Sequence, residues 1–122
     1  MSNRINHIQI SKNFSLREFQ CKDGSHQVRL HPTLLAKLQQ LRDRLNRPVI
    51  ITSGYRNPEH NHRVGGAPNS QHLLGTAADI RVNGLTPRQL LPHAEAIGFT
   101  GIGLYRTFLH VDTRPTPARW EG

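Results

Sequence analysis

Two pairs of residues in this sequence, each a histidine and an aspartate, have side chains of the types that can bind metal ions. His72 and Asp79 lie in the stretch NSQHLLGTAADI, and His110 and Asp112 lie in FLHVDT, in both cases among mainly apolar or small neighbours. Two imidazoles with one carboxylate are a common ligand set for catalytic zinc, which keeps a fourth position for water. The residues alone leave two interpretations open: a hydrolytic zinc site, or a His–Asp hydrogen-bonded pair that holds two loops together.

His72 and Asp79 can bind the same metal ion only if the chain bends between them. They are seven positions apart, so an uninterrupted strand would place them on opposite faces. Gly75 lies between them and tolerates the backbone angles of a tight turn. We therefore expect the chain to reverse near residues 74–76.

The second pair follows the alternation of a β-strand. His110 and Asp112 would point to one side, and Leu109 and Val111 to the other. If Leu109 and Val111 face the core, His110 and Asp112 line a cleft.

Capping signals and hydrophobic periodicity predict the elements that position these residues. Helices are expected after the Ser15–Glu18 capping box, from Pro32 to Leu45, and from Thr86 to Gly98, where Pro92 should kink the helix or delay its start. Strands are expected at VIITSGY, TAADIRV, GIGLY and TFLHVDT. Residues 56–70 predict a long loop and residues 114–122 an irregular, proline-rich tail. The order predicts an α+β fold with a small, mainly antiparallel sheet flanked by helices.

Composition limits the class of protein further. The 122 residues predict one domain, residues 1–122, with residues 1–13 as an N-terminal extension, and we expect a monomer. The single cysteine, Cys21, forms no intramolecular disulfide and is interpreted as structural. No stretch has the apolar character of a signal peptide or a membrane span. We expect synthesis in the cytoplasm without a signal peptide, and no membrane insertion.

A formal net charge of +8 should draw the chain to polyanions, which include nucleic acid, anionic membrane surfaces and anionic cell-wall polymers. No helix with clustered Arg or Lys is evident, so we do not expect nucleic acid as a partner.

Three motifs together resemble the M15-type zinc peptidases, the family of D-Ala-D-Ala carboxypeptidases and L-alanoyl-D-glutamate endopeptidases. The motifs are SGYR at residues 53–56, SQHLLGTAAD at residues 70–79 and HVD at residues 110–112. The resemblance runs from about Phe14 to Trp120. It implies the fold shared by these peptidases and the Hedgehog signalling domain.

The resemblance also implies roles for individual residues. Zn²⁺ would be held by His72, Asp79 and His110, and Arg56 would stabilise the oxyanion of the tetrahedral intermediate. Ser70 belongs to the same motif, and Ser70 and Tyr55 are our candidates for binding substrate, although Tyr55 and Tyr105 are equally interpretable as packing groups. The substrate would be a peptidoglycan stem peptide, cut at the cell wall or in the periplasm by a phage-type lysin or an accessory hydrolase.

One feature departs from that family. Better-known members carry a general base two or three positions before the last zinc ligand, where this chain has Phe108 and Thr107. Asp112 is our candidate for orienting the water or accepting its proton, or alternatively for holding His110 in place. The departure keeps a second function open, a noncatalytic, zinc-bearing module that binds cell wall or protein.

Two features outside the motifs have alternative interpretations. His60 and His62 form either a second metal site or ordinary loop residues near the cleft. Trp120 either stacks against a sugar or peptide at the cleft rim or covers the core.

Overall fold

The computed structural model describes residues 4–122, so the first three residues of the expected N-terminal extension lie outside it. Within this range the chain forms three α-helices and five β-strands. The helices are α1 (Pro32–Leu45), α2 (Pro58–Arg63) and α3 (Pro87–Ile97). The strands are β1 (Ile50–Ser53), β2 (Ala77–Arg81), β3 (Gly101–Leu104), β4 (Leu109–Asp112) and β5 (Ala118–Glu121). Short 3-10 helices span Leu16–Phe19 and Gln71–Leu74.

The five strands form one sheet in the order β1-β2-β4-β3-β5. The β1–β2, β2–β4 and β3–β4 pairs are antiparallel, and β3–β5 is parallel. The prediction of an α+β fold with a small, mainly antiparallel sheet is therefore confirmed.

The strand register brings four positions into one row across the sheet. Asp79 pairs with His110, His110 with Gly103, and Gly103 with Trp120. Directly paired residues point to the same face, so this row gathers two candidate metal ligands, a glycine and a tryptophan on one side of the sheet.

The opposite face of the sheet packs against the helices and forms the core. The leucine stripe of α1 is buried at Leu34, Leu38 and Leu41, as its spacing predicts. On β4, Leu109 and Val111 are fully buried in the same cluster. Because the apolar side chains occupy this face, the other face is left for polar groups.

Local caps define where the long helices begin. The His31 side chain accepts a hydrogen bond from Thr33 N at the start of α1. A capping box between Thr86 and Gln89 starts α3, as predicted. Helix α3 begins at Pro87 and contains Pro92, so the alternative that Pro92 delays the start of the helix is wrong.

Part of the expected loop at residues 56–70 is helical, which corrects the sequence prediction. Asn57 caps α2 by accepting a hydrogen bond from His60 N at 2.8 Å, and Pro58 occupies the first turn. The helix has six residues, too few to show an apolar period, and its only buried residue is Asn61.

The expected irregular tail at residues 114–122 is also wrong. Residues 118–121 pair in parallel with β3 as the edge strand β5. This pairing requires that one edge of β3, at residues 101–104, is free to accept another strand. The Pro-rich composition describes only the stretch before β5.

Among the residues that the structure describes, no helix is both long and apolar enough to cross a membrane. Cys21 is buried, with its sulfur 3.5 Å from Asn57 N.

Candidate metal centre

His72 is positioned by the 3-10 helix Gln71–Leu74. The Ser70 hydroxyl caps this helix and accepts a hydrogen bond from His72 N at 3.2 Å. The ring Nδ1 lies 2.7 Å from the carbonyl oxygen of Gly54. A carbonyl oxygen only accepts hydrogen bonds, so Nδ1 carries a proton, and in the neutral ring the lone pair that can bind a metal is on Nε2.

Gly75 makes the reversal that the sequence predicts. It ends the 3-10 helix with a φ of 73°, in the left-handed region, and a Cβ at this position would collide with the backbone carbonyl of Arg29. The turn brings His72 Nε2 to 3.2 Å from Asp79 Oδ1. The seven-residue spacing is therefore compatible with binding of one metal ion by both residues.

His110 approaches the same carboxylate oxygen from strand β4. Its Nδ1 lies 3.1 Å from Asp79 Oδ1, because Asp79 and His110 are paired in register. The ligand atoms of His72, Asp79 and His110 all lie within 4.8 Å of one another, and all three residues are buried. Ligand atoms bound tetrahedrally to zinc are about 3.3 Å apart, and the two distances from Asp79 Oδ1 to the imidazole nitrogens, 3.1 and 3.2 Å, are close to that spacing.

Asp112 holds the other side of the His110 ring. His110 Nε2 donates to Asp112 Oδ2 at 2.7 Å, since a carboxylate can only accept. In a neutral His110 ring, this contact places the lone pair on Nδ1, the nitrogen that faces Asp79. Both histidines thus have one nitrogen tied to a fixed acceptor and the other turned toward the same point, as is typical of metal-binding imidazoles.

The expectation that Asp112 lines the cleft is wrong. Asp112 has no exposed surface, and its oxygens also accept hydrogen bonds from the side chain and backbone of Arg114. With its oxygens occupied by these donors, the carboxylate is screened from water. The geometry favours the second of the two alternatives, in which Asp112 holds His110.

The glycines of the GIGLY stretch make room on this face of the sheet. A Cβ at Gly101 would overlap the carboxylate of Asp112, and a Cβ at Gly103 would overlap the Trp120 ring. Small residues are needed at these two strand positions because larger groups from neighbouring strands occupy the space.

Hydrogen bonds dominate the electrostatics of this cluster. Burial disfavours the charged forms of Asp79 and Asp112, but donors from the histidines, and from Arg114 to Asp112, hold the pKa of both carboxyls well below the usual value. Burial also opposes the charge on His110, yet hydrogen bonds to Asp112 and Asp79 raise the pKa of this imidazole above its usual value. Without a metal ion, both carboxylates therefore favour the charged form of the His110 imidazole.

Arg56 extends the cluster on the far side of Asp79. Its Nη2 lies 3.3 Å from Asp79 Oδ2, its Nε donates to Ser53 Oγ at 3.2 Å, and its Nη1 lies 3.4 Å from Asn61 Oδ1. Asn61 also donates to the Ala67 carbonyl at 2.9 Å. Sequence reasoning missed Asn61, whose only local signal was its place between two histidines.

A cleft of about 440 Å³ opens over this cluster. One wall is aromatic, with the Tyr105 and Phe108 rings stacked at 4.5 Å and Trp120 Nε1 donating to the Tyr105 hydroxyl at 2.9 Å. Ser70 lines the cleft as expected, whereas Tyr55 is not among its lining residues. Trp120 lines the cleft and contacts the His110 ring at 5.1 Å between centroids.

The two histidines of α2 belong to no cluster of three candidate ligands among the residues that the structure describes. Within residues 4–122, His72, Asp79 and His110 are the only cluster of three candidate ligands. His60 and His62 lie in the short helix α2, beside the loop that follows it.

Comparison with known proteins agrees with this geometry. The sequence pattern of the family described as Peptidase M15 matches residues 11–112. The chain belongs to the Peptidase M15 family. That match includes the three candidate ligands and Arg56, and it ends before Arg114 and Trp120.

Several curated proteins are similar to this M15 chain. It is 32% identical over 104 residues to the probable peptidoglycan L,D-endopeptidase MepK of Haemophilus influenzae, covering 77% of this chain and 55% of that protein. It is 30% identical over 95 residues to the peptidoglycan L,D-endopeptidase MepK of Escherichia coli, covering 70% and 52%. It is 37% identical over 67 residues to the zinc D-Ala-D-Ala carboxypeptidase of Streptomyces albus G, covering 54% and 26%. The chain spans about half the length of the two endopeptidases.

Proposed function

We propose that this M15 chain is a zinc-dependent peptidase that hydrolyses a peptide bond in the stem peptides of bacterial peptidoglycan, and that it acts at the cell wall. The observation that carries the proposal is the convergence of His72 Nε2 and His110 Nδ1 on Asp79 Oδ1, with the other nitrogen of each ring tied to an acceptor. The names of the two similar endopeptidases support a peptidoglycan substrate, and the name of the similar carboxypeptidase supports zinc.

His72, Asp79 and His110 would hold the zinc ion. Bound there, zinc supplies a Lewis acid that polarises a peptide carbonyl and makes water a nucleophile near neutral pH. Asp112 keeps the His110 ring in the orientation that turns Nδ1 toward the ion. We propose this positioning role for Asp112 in place of proton acceptance, because the carboxylate is buried and its oxygens accept from His110 and Arg114.

Arg56 would stabilise the negative charge that develops on the carbonyl oxygen. Its guanidinium lies beside Asp79 and is held by Ser53 and Asn61, so little reorganisation is needed during the reaction. The aromatic wall and the loop around Ser70 line the cleft in which an extended peptide would lie.

Digestion of purified peptidoglycan tests this function. The protein with one equivalent of zinc should release new amino termini and defined fragments, identified by mass spectrometry, and treatment with a chelator should stop the release. His110→Ala should abolish both cleavage and zinc binding. His62→Ala, a matched change at an exposed histidine outside the cluster, should leave both intact.

A noncatalytic binding module is the second candidate function. The observation that favours it is that, among the described residues lining the cleft, no carboxylate or imidazole lies outside the metal-binding set. If the zinc-loaded protein binds peptidoglycan of several chemotypes and cuts none of them, the binding function replaces the peptidase.

A further inference from the structure

Arg114 contributes a positive charge to the cleft that the proposed reaction does not use. It lines the cleft together with His72 and His110, and 27% of its side chain is exposed. Among the described residues that line the cleft, the only carboxylate is Asp79, and both of its oxygens already have partners. An anionic group that enters the cleft therefore meets no unpaired negative charge.

The Arg114 guanidinium is rigidly held. Its Nε donates to Asp112 Oδ1 at 2.9 Å and its Nη2 to Asp112 Oδ2 at 2.6 Å, while its backbone N–H also donates to Oδ1 at 3.1 Å. On its other side the guanidinium lies 4.8 Å from the centre of the Trp120 ring. A group fixed in this way loses little conformational entropy when it binds a ligand.

Part of the guanidinium has no partner among the residues that the structure describes. Arginine has five N–H donors, and two nitrogens of Arg114 are committed to Asp112. Its Nη1 makes no hydrogen bond within residues 4–122. Asp112 raises the pKa of Arg114, so the group stays charged.

The position of this group limits which part of a substrate reaches it. Asp112 contacts both His110 and Arg114, so a single side chain separates the metal ligand from the guanidinium. A group bound by Arg114 therefore belongs to a residue next to the bond that is cut. In a peptide, the anionic groups there are a C-terminal carboxylate or an acidic side chain.

We propose that Arg114, held by Asp112 and stacked on Trp120, forms a subsite that binds a carboxylate of the peptide substrate beside the metal centre. This subsite rests on the proposed peptidase function for its substrate. The bound carboxylate would neutralise the excess positive charge of the cleft and fix the register of the peptide. The subsite thereby makes the protein prefer peptides with a carboxylate next to the scissile bond.

Ligand binding to this subsite is measurable without catalysis. Trp120 is the only tryptophan in the sequence, so intrinsic fluorescence reports directly on the ring beneath Arg114. We would titrate zinc-free and zinc-loaded protein with N-acetyl-D-Ala-D-Ala and with its C-terminal amide. A second pair, N-acetyl-L-Ala-D-Glu amide and its D-Gln counterpart, separates an acidic side chain from a chain terminus.

The expected result is a preference for the acid over the neutral member of one pair by roughly 10- to 100-fold in dissociation constant, the range for a charge-assisted hydrogen bond. The same preference should appear in kcat/KM for any peptide of that pair that is cleaved. Comparing a ratio within each variant cancels general damage to the metal centre, because such damage weakens both members equally.

Three variants complete the test. Arg114→Gln should reduce the acid preference to about one, and Arg114→Lys, which keeps the charge but loses the planar fork, should reduce it in part. Arg106→Gln removes the same charge from an exposed position outside the cleft lining, and should retain the preference. Circular dichroism establishes that each variant is folded, and the Lys variant serves if the Gln variant does not fold.

The outcomes separate the subsite from the proposed function. Equal binding of acid and neutral ligands by the wild type, or an acid preference that survives in both Arg114 variants, overturns the subsite even if peptidoglycan is cut. An acid preference that depends on Arg114 in the zinc-free protein supports the subsite even if no bond is cut, in which case the peptidase function alone fails.

Discussion

The Asp112→Asn substitution separates the two roles considered for this carboxylate. Asparagine has nearly the same shape as aspartate but carries no charge, so it fits beside Gly101 without a steric clash. In the wild type, His110 Nε2 lies 2.7 Å from Asp112 Oδ2. The asparagine oxygen can still accept this hydrogen bond, but its amide nitrogen cannot accept the second hydrogen bond that Arg114 donates to the carboxylate. The change therefore weakens the hold on His110 and leaves no negative charge beside Arg114.

The distances set the size of the effect. Hydrogen bonds to charged groups contribute about 1.5–3 kcal/mol each, but Arg114 is partly exposed and water replaces some of its contacts. We expect the free energy of unfolding of the metal-free protein to fall by about 2–3 kcal/mol. Loss of a residue that orients a metal ligand lowers metal affinity by roughly 10- to 100-fold. At saturating zinc, kcat should remain within a few-fold of the wild type.

Three measurements on the same preparation test this reasoning. Zinc affinity comes from competition with a chromophoric chelator, stability from denaturant unfolding, and kcat from cleavage of a stem peptide at saturating zinc. Asp43→Asn, the same substitution at an exposed carboxylate on α1, is the control and should change none of them appreciably. If Asp112 is instead the proton acceptor, kcat falls by about 10²- to 10⁴-fold while zinc affinity is unchanged, and our assignment is refuted.

Further predictions concern the turn, the pH dependence and the loop beside Arg56. Gly75→Ala should lower the free energy of unfolding by more than Gly65→Ala does. Both residues have φ near 74°, but only at Gly75 would a Cβ collide with backbone. Equal losses in denaturant unfolding would contradict this. Because the pKa of His110 is raised, zinc must displace its proton. Chelator competition should therefore show affinity falling about tenfold per pH unit below that pKa, and a flat profile would contradict it. The same proton stabilises the metal-free protein below the ordinary histidine pKa, and this contribution should be lost in denaturant unfolding as pH rises through the raised pKa. Asn61→Ala should lower kcat with zinc affinity unchanged, because Asn61 contacts Arg56 and no metal ligand; weakened zinc binding would show that its role is different.

Features that depend on nearby residues were predictable from the sequence. The leucine spacing of α1, the alternation on β2 and β4, and the reversal at Gly75 all follow from local geometry. Each of these elements buries its apolar residues on one side, so the pattern of residue types is sufficient to orient it.

Features that depend on distant partners were not predictable in this way. The tail becomes strand β5 only because β3 offers an open edge, and α2 is too short to produce a periodic signal. The choice of Tyr105 over Tyr55 as a cleft residue depends on how Trp120 packs against the sheet. Arg114 contacts Asp112 two residues away, but its place in the cleft beside Trp120 and His110 depends on how the strands pair.

The sequence by itself determined the chemistry of the site, because the donor atoms of His72, Asp79 and His110 are properties of those residue types and the motifs specify their positions. The tertiary structure decided which nitrogen of each ring faces Asp79 and that Asp112 contacts His110 and Arg114. Those answers depend on the register that places Asp79 opposite His110, and on the space above Gly101 that admits a buried carboxylate. The register joins residues 31 positions apart and the space depends on which residues of β3 and β4 are paired, so the residue types alone do not specify either.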